Sequence, residues 1–361
     1  MSDLVNTLVA LQGVSEEDIL ASDNAHPADE ITVADPPREL LYRVEPDFIV
    51  GYDIDPEALW EAYVRGEPIL IVGPHGTGKS SLAFHLLDNA NEPVRKKNRE
   101  IYEKNLKLIK KGGGEDALIP YKDIPYPTAY LGCGAGTRTE QTIGTLKFRA
   151  TEHGREPYTV YGAVVDAWVN GKTLIMDEIM SVVADQYSEL HQFFDSRTET
   201  TTIYINGPEV IKKHPRFRVI ATDNDWGYGE NQLEYANTQL QSTAFLGRFT
   251  YKVELNYLKP DKEVHALMTK LPASYPDAIR KMVEVANKIR DAKKAGVLTQ
   301  TLSTRQLLAW ARECLACGKR KGVTFADFRN YWQNVVIPSA GPTFLTGNPD
   351  RDVLKTYLEI K

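Results

Sequence analysis

Between residue 46 and about residue 256, short apolar runs alternate with segments of helical period. Pro68-Ile69-Leu70-Ile71-Val72 is apolar throughout, as a strand covered on both faces must be. A Gly-rich stretch separates it from a helix predicted over residues 80–89. Thr128-Ala129-Tyr130-Leu131, Thr173-Leu174-Ile175-Met176 and Arg218-Val219-Ile220-Ala221-Thr222 repeat the strand pattern. Strands alternating with helices predict a mostly parallel sheet between helical layers, an α/β fold. Two hairpin signals interrupt the alternation. Residues 147–150 and 158–161 flank Thr151-Glu152-His153-Gly154-Arg155, and residues 201–205 and 209–211 flank Asn206-Gly207-Pro208, where Asn and Gly tolerate positive φ. From about residue 259 the pattern is helical, which predicts a second, mostly α domain over 259–361.

Two charged segments modify this picture. Residues 1–45 carry ten acids against Arg38 and Arg43, with Leu4, Leu8 and Leu11 at helical spacing and a break at Asp35-Pro36-Pro37. This reads as an acidic N-terminal arm, either a solvated extension or a docking segment, joined to a core over 46–258. Residues 95–111 hold eight basic residues and two acids, with Tyr102, Leu106 and Ile109 on one helical face and Gly112-Gly113-Gly114 at the end. That pattern fits an amphipathic surface helix; a contact for a polyanion or an acidic partner is the alternative.

The remaining composition narrows the class. The 361 residues, 42% hydrophobic and 25% charged, suit a soluble protein of two or three domains. No apolar run is long enough to cross a bilayer, and Met1-Ser2-Asp3-Leu4-Val5 does not begin a secretory leader. Three cysteines, Cys133, Cys314 and Cys317, exclude a disulfide-built fold and fit a reducing cytoplasm. Cys314 and Cys317 have C-x-x-C spacing inside a predicted helix, but a structural zinc site needs four ligands, so they read as buried small residues. The seven histidines form no metal-ligand pattern. A net charge of -6 argues against a generally basic nucleic-acid binder.

The chemistry lies elsewhere. Gly73-Pro74-His75-Gly76-Thr77-Gly78-Lys79-Ser80 matches G-x-x-x-x-G-K-[ST] between a predicted strand and a predicted helix. Its glycines let backbone N–H groups turn toward phosphate oxygens at a helix N-terminus. Lys79 can reach the β- and γ-phosphates of ATP, the Ser80 hydroxyl can ligate Mg²⁺, and Ser81 completes the nucleotide-binding set. About a hundred residues on, Leu174-Ile175-Met176-Asp177-Glu178 delivers two carboxylates to the C-terminal edge of a strand, where open α/β sheets bind ligands. Asp177 would hold Mg²⁺ through a water, and Glu178 would polarise the attacking water. Asn224, after the strand at 218–222, is placed to bond the γ-phosphate or that water, or else simply opens a loop. Arg248 is a candidate arginine finger for a neighbouring subunit, and Arg305, near a helix start in the α domain, could reach over the phosphates. For both, a surface salt bridge is the plainer alternative.

Together these motifs resemble the AAA+ ATPases. The two hairpins stand where the MoxR-like branch carries its helix-2 and pre-sensor-1 insertions. Within that branch the chain most resembles the CobS group, the ATPase subunits of aerobic cobaltochelatase. The likeness rests on His75-Gly76-Thr77-Gly78-Lys79-Ser80, on 217–224, on Leu255-Asn256-Tyr257-Leu258 with Asp261-Lys262-Glu263-Val264, and on Ser303-Thr304-Arg305 with Trp310-Ala311. It covers roughly residues 46–320. It implies an AAA+ core with a helical lid, Asn224 as sensor 1, Arg248 as finger and Arg305 as sensor 2. It also implies a ring, a hexamer in this family, with a von Willebrand factor A-type protein and a large chelatase subunit as partners. The chain departs from the CobS pattern in an extra segment at 93–126, at 226–241, and at Gly247, where an acid often precedes the finger arginine. The expected activity is Mg²⁺-dependent ATP hydrolysis that remodels a partner complex. A nucleic-acid-associated ATPase and a MoxR-type chaperone for another metalloenzyme or assembly are the alternatives.

Overall fold

A computed structural model describes residues 36–45, 52–152, 154–224, 243–271, 276–322 and 328–359. The helix expected around Leu4–Leu11 and the divergent stretch 226–241 lie outside these residues. Five strands form one parallel sheet: β1 (Ile69–Val72), β2 (Thr128–Gly132), β5 (Thr173–Asp177), β8 (Arg218–Asp223) and β9 (Tyr251–Glu254), in the order β2-β5-β8-β1-β9. The α/β expectation is met. β9 was not anticipated, because it is four residues long and only Val253 in it is buried.

Side chains alternate between the two faces of the sheet, and two cores result. Ile69, Ile71, Ile175, Ile220 and Val253 face α1 (Pro56–Arg65) and the first turns of α2 (Lys79–Lys110). Leu70, Val72, Leu174, Met176, Val219 and Ala221 face α3 (Ala163–Asn170) and α4 (Ala184–Phe194), where Trp168, Phe193 and Phe194 are buried. A third core belongs to α5 (Pro260–Lys270), α6 (Pro276–Lys294), α7 (Thr304–Lys321) and the C-terminal turns to α8 (Arg351–Tyr357). Trp310 anchors it, donating Nε1–H to the Val336 carbonyl at 2.9 Å. Cys314 and Cys317 lie there buried, as expected of small residues on an inward helix face. Among the described residues no helix is long and apolar enough to cross a membrane.

The two hairpins are present with shifted ends. β3 (Gly144–Thr151) pairs with β4 (Gly154–Tyr161) through a two-residue loop, tighter than the five-residue connection expected. β6 (Thr200–Ile203) pairs with β7 (Glu209–Lys212). Tyr161 of the first donates its hydroxyl to Glu209 of the second.

The basic segment differs most from expectation. α2 does not stop near residue 89 but runs 32 residues, through Pro93, to Lys110. Past its first turns its buried face is not the apolar one: Leu106 and Ile109 are exposed, whereas Asn91, Asn98 and Asn105 are buried. Seven residues separate each pair, so the three amides share one side of the helix. Each donates to a backbone carbonyl and accepts from the N–H of the same residue in the returning chain: Asn91 with Tyr126 (2.7 and 2.9 Å), Asn98 with Lys122 (2.8 and 2.9 Å), Asn105 with Ile119 (2.9 and 2.9 Å). The periodicity was legible, but its polar content hid which face would be covered. Residues 36–45 lie on the same helix. There Arg95 pairs with Asp88 at 2.6 Å and donates to the Glu39 carbonyl at 2.9 Å. Arg95 is therefore an interior residue, which leaves the lysines to make the outer surface basic.

Removing the Asn98 amide breaks its two bonds to Lys122 and its bond to the Leu40 carbonyl at 3.1 Å. Asn98→Ala should destabilise the arm by about 2 kcal/mol, and amide exchange should quicken around Lys122. Lys104→Ala, on the exposed side, should leave exchange there unchanged. Equal protection in both variants would show that the amide bonds do not hold the return segment.

Candidate nucleotide-binding site

The site forms where the sheet order reverses. β1 lies between β8 and β9, and the chain leaving it must cross β8 and β5 to reach β2, which opens a crevice at the C-terminal strand ends. Residues 73–78 fill that crevice. Gly76 has φ 72°, and a Cβ there would stand 2.6 Å from Ser303 Cβ at the N-cap of α7. Only glycine allows this turn and this approach together. Gly78, at φ 96°, is the N-cap of α2. Three hydroxyls fasten the loop: Thr77 donates to Pro74 O at 2.9 Å, Tyr257 to His75 O at 3.1 Å, and Tyr52 to Thr77 O.

Lys79 closes the loop on itself. Its ammonium donates to Gly73 O at 2.7 Å, Pro74 O at 3.0 Å and Asn224 Oδ1 at 2.8 Å. Burial pulls its pKa from 10.5 down to about 8 with Arg305 adding to the effect, against the opposing pull of Asp223, Asp177 and Glu178. These acceptors are ones that phosphate oxygens could replace, and the exchange would relieve a buried cation of neutral partners. Ser81, half-buried, follows in the first turn of α2.

Asp177 ends β5 under three donors. Ser80 Oγ reaches Oδ1 at 3.0 Å, Thr222 donates to the same oxygen, and Tyr130 Oη reaches Oδ2 at 2.8 Å. Burial, then the bond to Asp177, pushes the Tyr130 hydroxyl up to about 12, so it remains a donor. Neither Thr222 nor Tyr130 was singled out from sequence. Thr222 adjoins the polar strand end already noted, while Tyr130 meets Asp177 only through the pairing of β2 with β5.

Glu178 has φ 58° and ψ 48°, a left-handed conformation that costs a non-glycine residue about 1 kcal/mol or more. It is exposed between buried Met176 and Ile179. The turn is held from β8, where the buried Asp223 carboxylate accepts the Met180 N–H at 2.6 Å and the Asn224 N–H at 2.7 Å. Asp223 thus shapes the backbone that presents both Glu178 and Asn224, a role its position in the strand did not reveal.

Ser80 and Asp177 are hard oxygen donors 3.0 Å apart. Among the described residues no group of three His, Cys, Asp or Glu side chains is arranged to hold a metal ion alone. The donor set suits Mg²⁺, which keeps waters and phosphate oxygens as ligands. Bound there, Mg²⁺ would neutralise charge on the phosphates.

The two arginines are placed differently. Arg305 is the second residue of α7, whose N-cap Ser303 accepts from Gln306 N and abuts Gly76, and its charge reaches Lys79. Arg248 sits beside the end of α4. Its charge helps lower Asp195 to about 2, although Arg197 is the main cause, and it adds to the effect of burial in lowering His191. Among the described residues its buried Nε meets no hydrogen-bond partner. The sequence lacks an acid at position 247; Asp195 supplies one in space.

Residues 267–317 match the CbbQ/NirQ/NorQ C-terminal family. The aerobic cobaltochelatase subunit CobS of Sinorhizobium sp is 25% identical over 272 residues, 72% of this chain and 71% of that protein. An uncharacterised protein of Staphylococcus epidermidis is 23% identical over 241 residues, 66% of this chain and 74% of its own. Solved structures that align include the Thermotoga maritima RuvB Holliday junction branch migration motor, at TM-score 0.44 and 12% identity over 84% of this chain and 73% of that one. Domain III of the Thermotoga maritima replication initiation protein DnaA aligns at TM-score 0.39 and 10% identity, over 79% and 93%. The relationship to CobS and the CbbQ/NirQ/NorQ C-terminal match bear out the resemblance to the MoxR-like AAA+ ATPases.

Proposed function

We propose that the protein hydrolyses Mg²⁺-ATP within a ring of copies and uses the cycle to remodel a partner complex. The observation that carries this reading is the convergence of Lys79, Ser80, Asp177 and Asn224 at the sheet's switch point, with Glu178 exposed beside them. Lys79 and the loop N–H groups bind phosphates, and Asp177 and Ser80 orient Mg²⁺. Glu178 takes the proton of the attacking water, and Asn224 holds that water or the γ-phosphate. Arg305 acts from the lid of the same copy and Arg248 from a neighbour. Among the described residues no group of three or more His, Cys, Asp and Glu could hold a metal ion, and we assign any chelation chemistry to other subunits. The relationship to CobS favours a chelatase-like large subunit and a von Willebrand factor A-type adaptor as partners.

The hairpins are the surfaces offered to such a partner. Phe148 and Tyr204 are 62% and 77% exposed at their outer parts, which is unusual for large apolar side chains. Replacing residues 148–157 with Asn-Gly would close the hairpin at the Lys147–Tyr158 pair and leave the site untouched. ATP turnover should persist in the isolated variant, and stimulation by a co-purifying partner should fall by about tenfold. Unchanged stimulation would take the first hairpin out of partner contact. Absence of Mg²⁺-dependent turnover by the native chain would remove the motor itself.

A further inference from the structure

A buried ionic network lies behind the first turn of α7. Glu263, in the first turn of α5, is wholly buried. Its carboxylate accepts Arg290 Nη1 at 2.7 Å, Arg290 Nη2 at 2.8 Å and Thr304 Oγ1 at 2.7 Å. Arg290, from α6, also donates Nε–H to the Leu302 carbonyl at 2.9 Å, and its guanidinium lies 4.1 Å from the centre of the Tyr257 ring. Tyr257 in turn donates to His75 O of the phosphate loop. The path from His75 thus runs through Tyr257, Arg290 and Glu263 to Thr304, the residue before Arg305.

A buried bidentate ion pair carries a desolvation cost that can match its Coulombic gain, so its presence alone says little about stability or function. Two features go beyond that. Both ends of the path fall on the nucleotide site, one on the loop and the other beside Arg305. The ends also touch directly, since Gly76 has no room for a Cβ against Ser303. Loop and helix start therefore cannot shift independently, and Lys79, which now spends two bonds on loop carbonyls, must release them when phosphates arrive.

We propose that Tyr257, Arg290, Glu263 and Thr304 are positioning residues that keep Arg305 in register with the phosphate loop, so that rearrangement of either is felt by the other. The catalytic half of this inference rests on the ATPase reading; the mechanical half does not. Thr304→Val and Tyr257→Phe each remove one hydroxyl and keep the shape. Without nucleotide, Thr304→Val should speed amide exchange about fivefold in the loop at 73–78 as well as in its own turn, and Tyr257→Phe should do so in the first turn of α7. Changes confined to the mutated segment overturn the coupling. In turnover, Thr304→Val should lower kcat on the order of tenfold with little change in KM for ATP. Thr304→Ser should restore it, and the loss should vanish in an Arg305→Ala background. An equal loss in that background overturns the positioning role. Coupled exchange in a native chain that shows no turnover would sink the ATPase reading and leave the mechanical link standing.

Discussion

Glu178→Gln is expected to bind ATP as the native chain does and to turn it over about 10²–10⁴-fold more slowly. The amide keeps the size of the carboxylate and its left-handed backbone, which Asp223 fixes from the neighbouring strand through Met180 N–H. Lys79, Ser80 and Asp177 are untouched, so affinity for nucleotide should hold. Only the capacity to take a proton from water is lost. Binding measured with a fluorescent ATP analogue, together with steady-state turnover, separates the two effects. Turnover at the native rate would mean that another group accepts the proton, and Asp177, engaged by three hydroxyls, would be the next to test.

The second large effect concerns assembly. Arg248→Ala should reduce turnover by about 10³-fold, as loss of a trans-acting arginine does. Lys79→Ala should abolish it by loss of phosphate binding. Mixed before assembly, the two inactive chains should recover activity, because the Arg248→Ala copy keeps Lys79 and the Lys79→Ala copy keeps Arg248. With random mixing in a head-to-tail ring, roughly a quarter of the interfaces contain both intact halves. Activity no greater than the sum of the separate chains would confine Arg248 to its own subunit, where Asp195 is its acidic neighbour.

The strands were legible because parallel strands buried on both faces leave continuous apolar runs, and residues 69–72 and 174–176 are such runs. β9 escaped because an edge strand buries one side chain, Val253. In the site, Gly73–Ser80 and Asp177-Glu178 were readable because backbone turn and chemistry are contiguous in the chain. Tyr130, Thr222 and the Glu263–Arg290 pair were not, since each acts through strand or helix pairing across long stretches of sequence. Residues 95–111 misled in an instructive way. Hydrophobic periodicity marks a buried face only when apolar atoms do the burying, and here paired amides satisfy the backbone of the covering chain instead.

That asparagine ladder turns the arm into a ruler with coarse divisions. Seven helical residues rise about 10.5 Å, and the three or four residues separating Ile119, Lys122 and Tyr126 cover a similar distance when nearly extended. The two scales coincide only at these rungs. A single residue inserted in the helix would rotate every later amide by about 100° and strand the remainder of the return chain. Any lengthened or shortened arm that keeps this architecture must change by seven residues on one side and three or four on the other. The reach of its lysine-bearing tip from the central sheet is thus quantised in steps of about 10 Å.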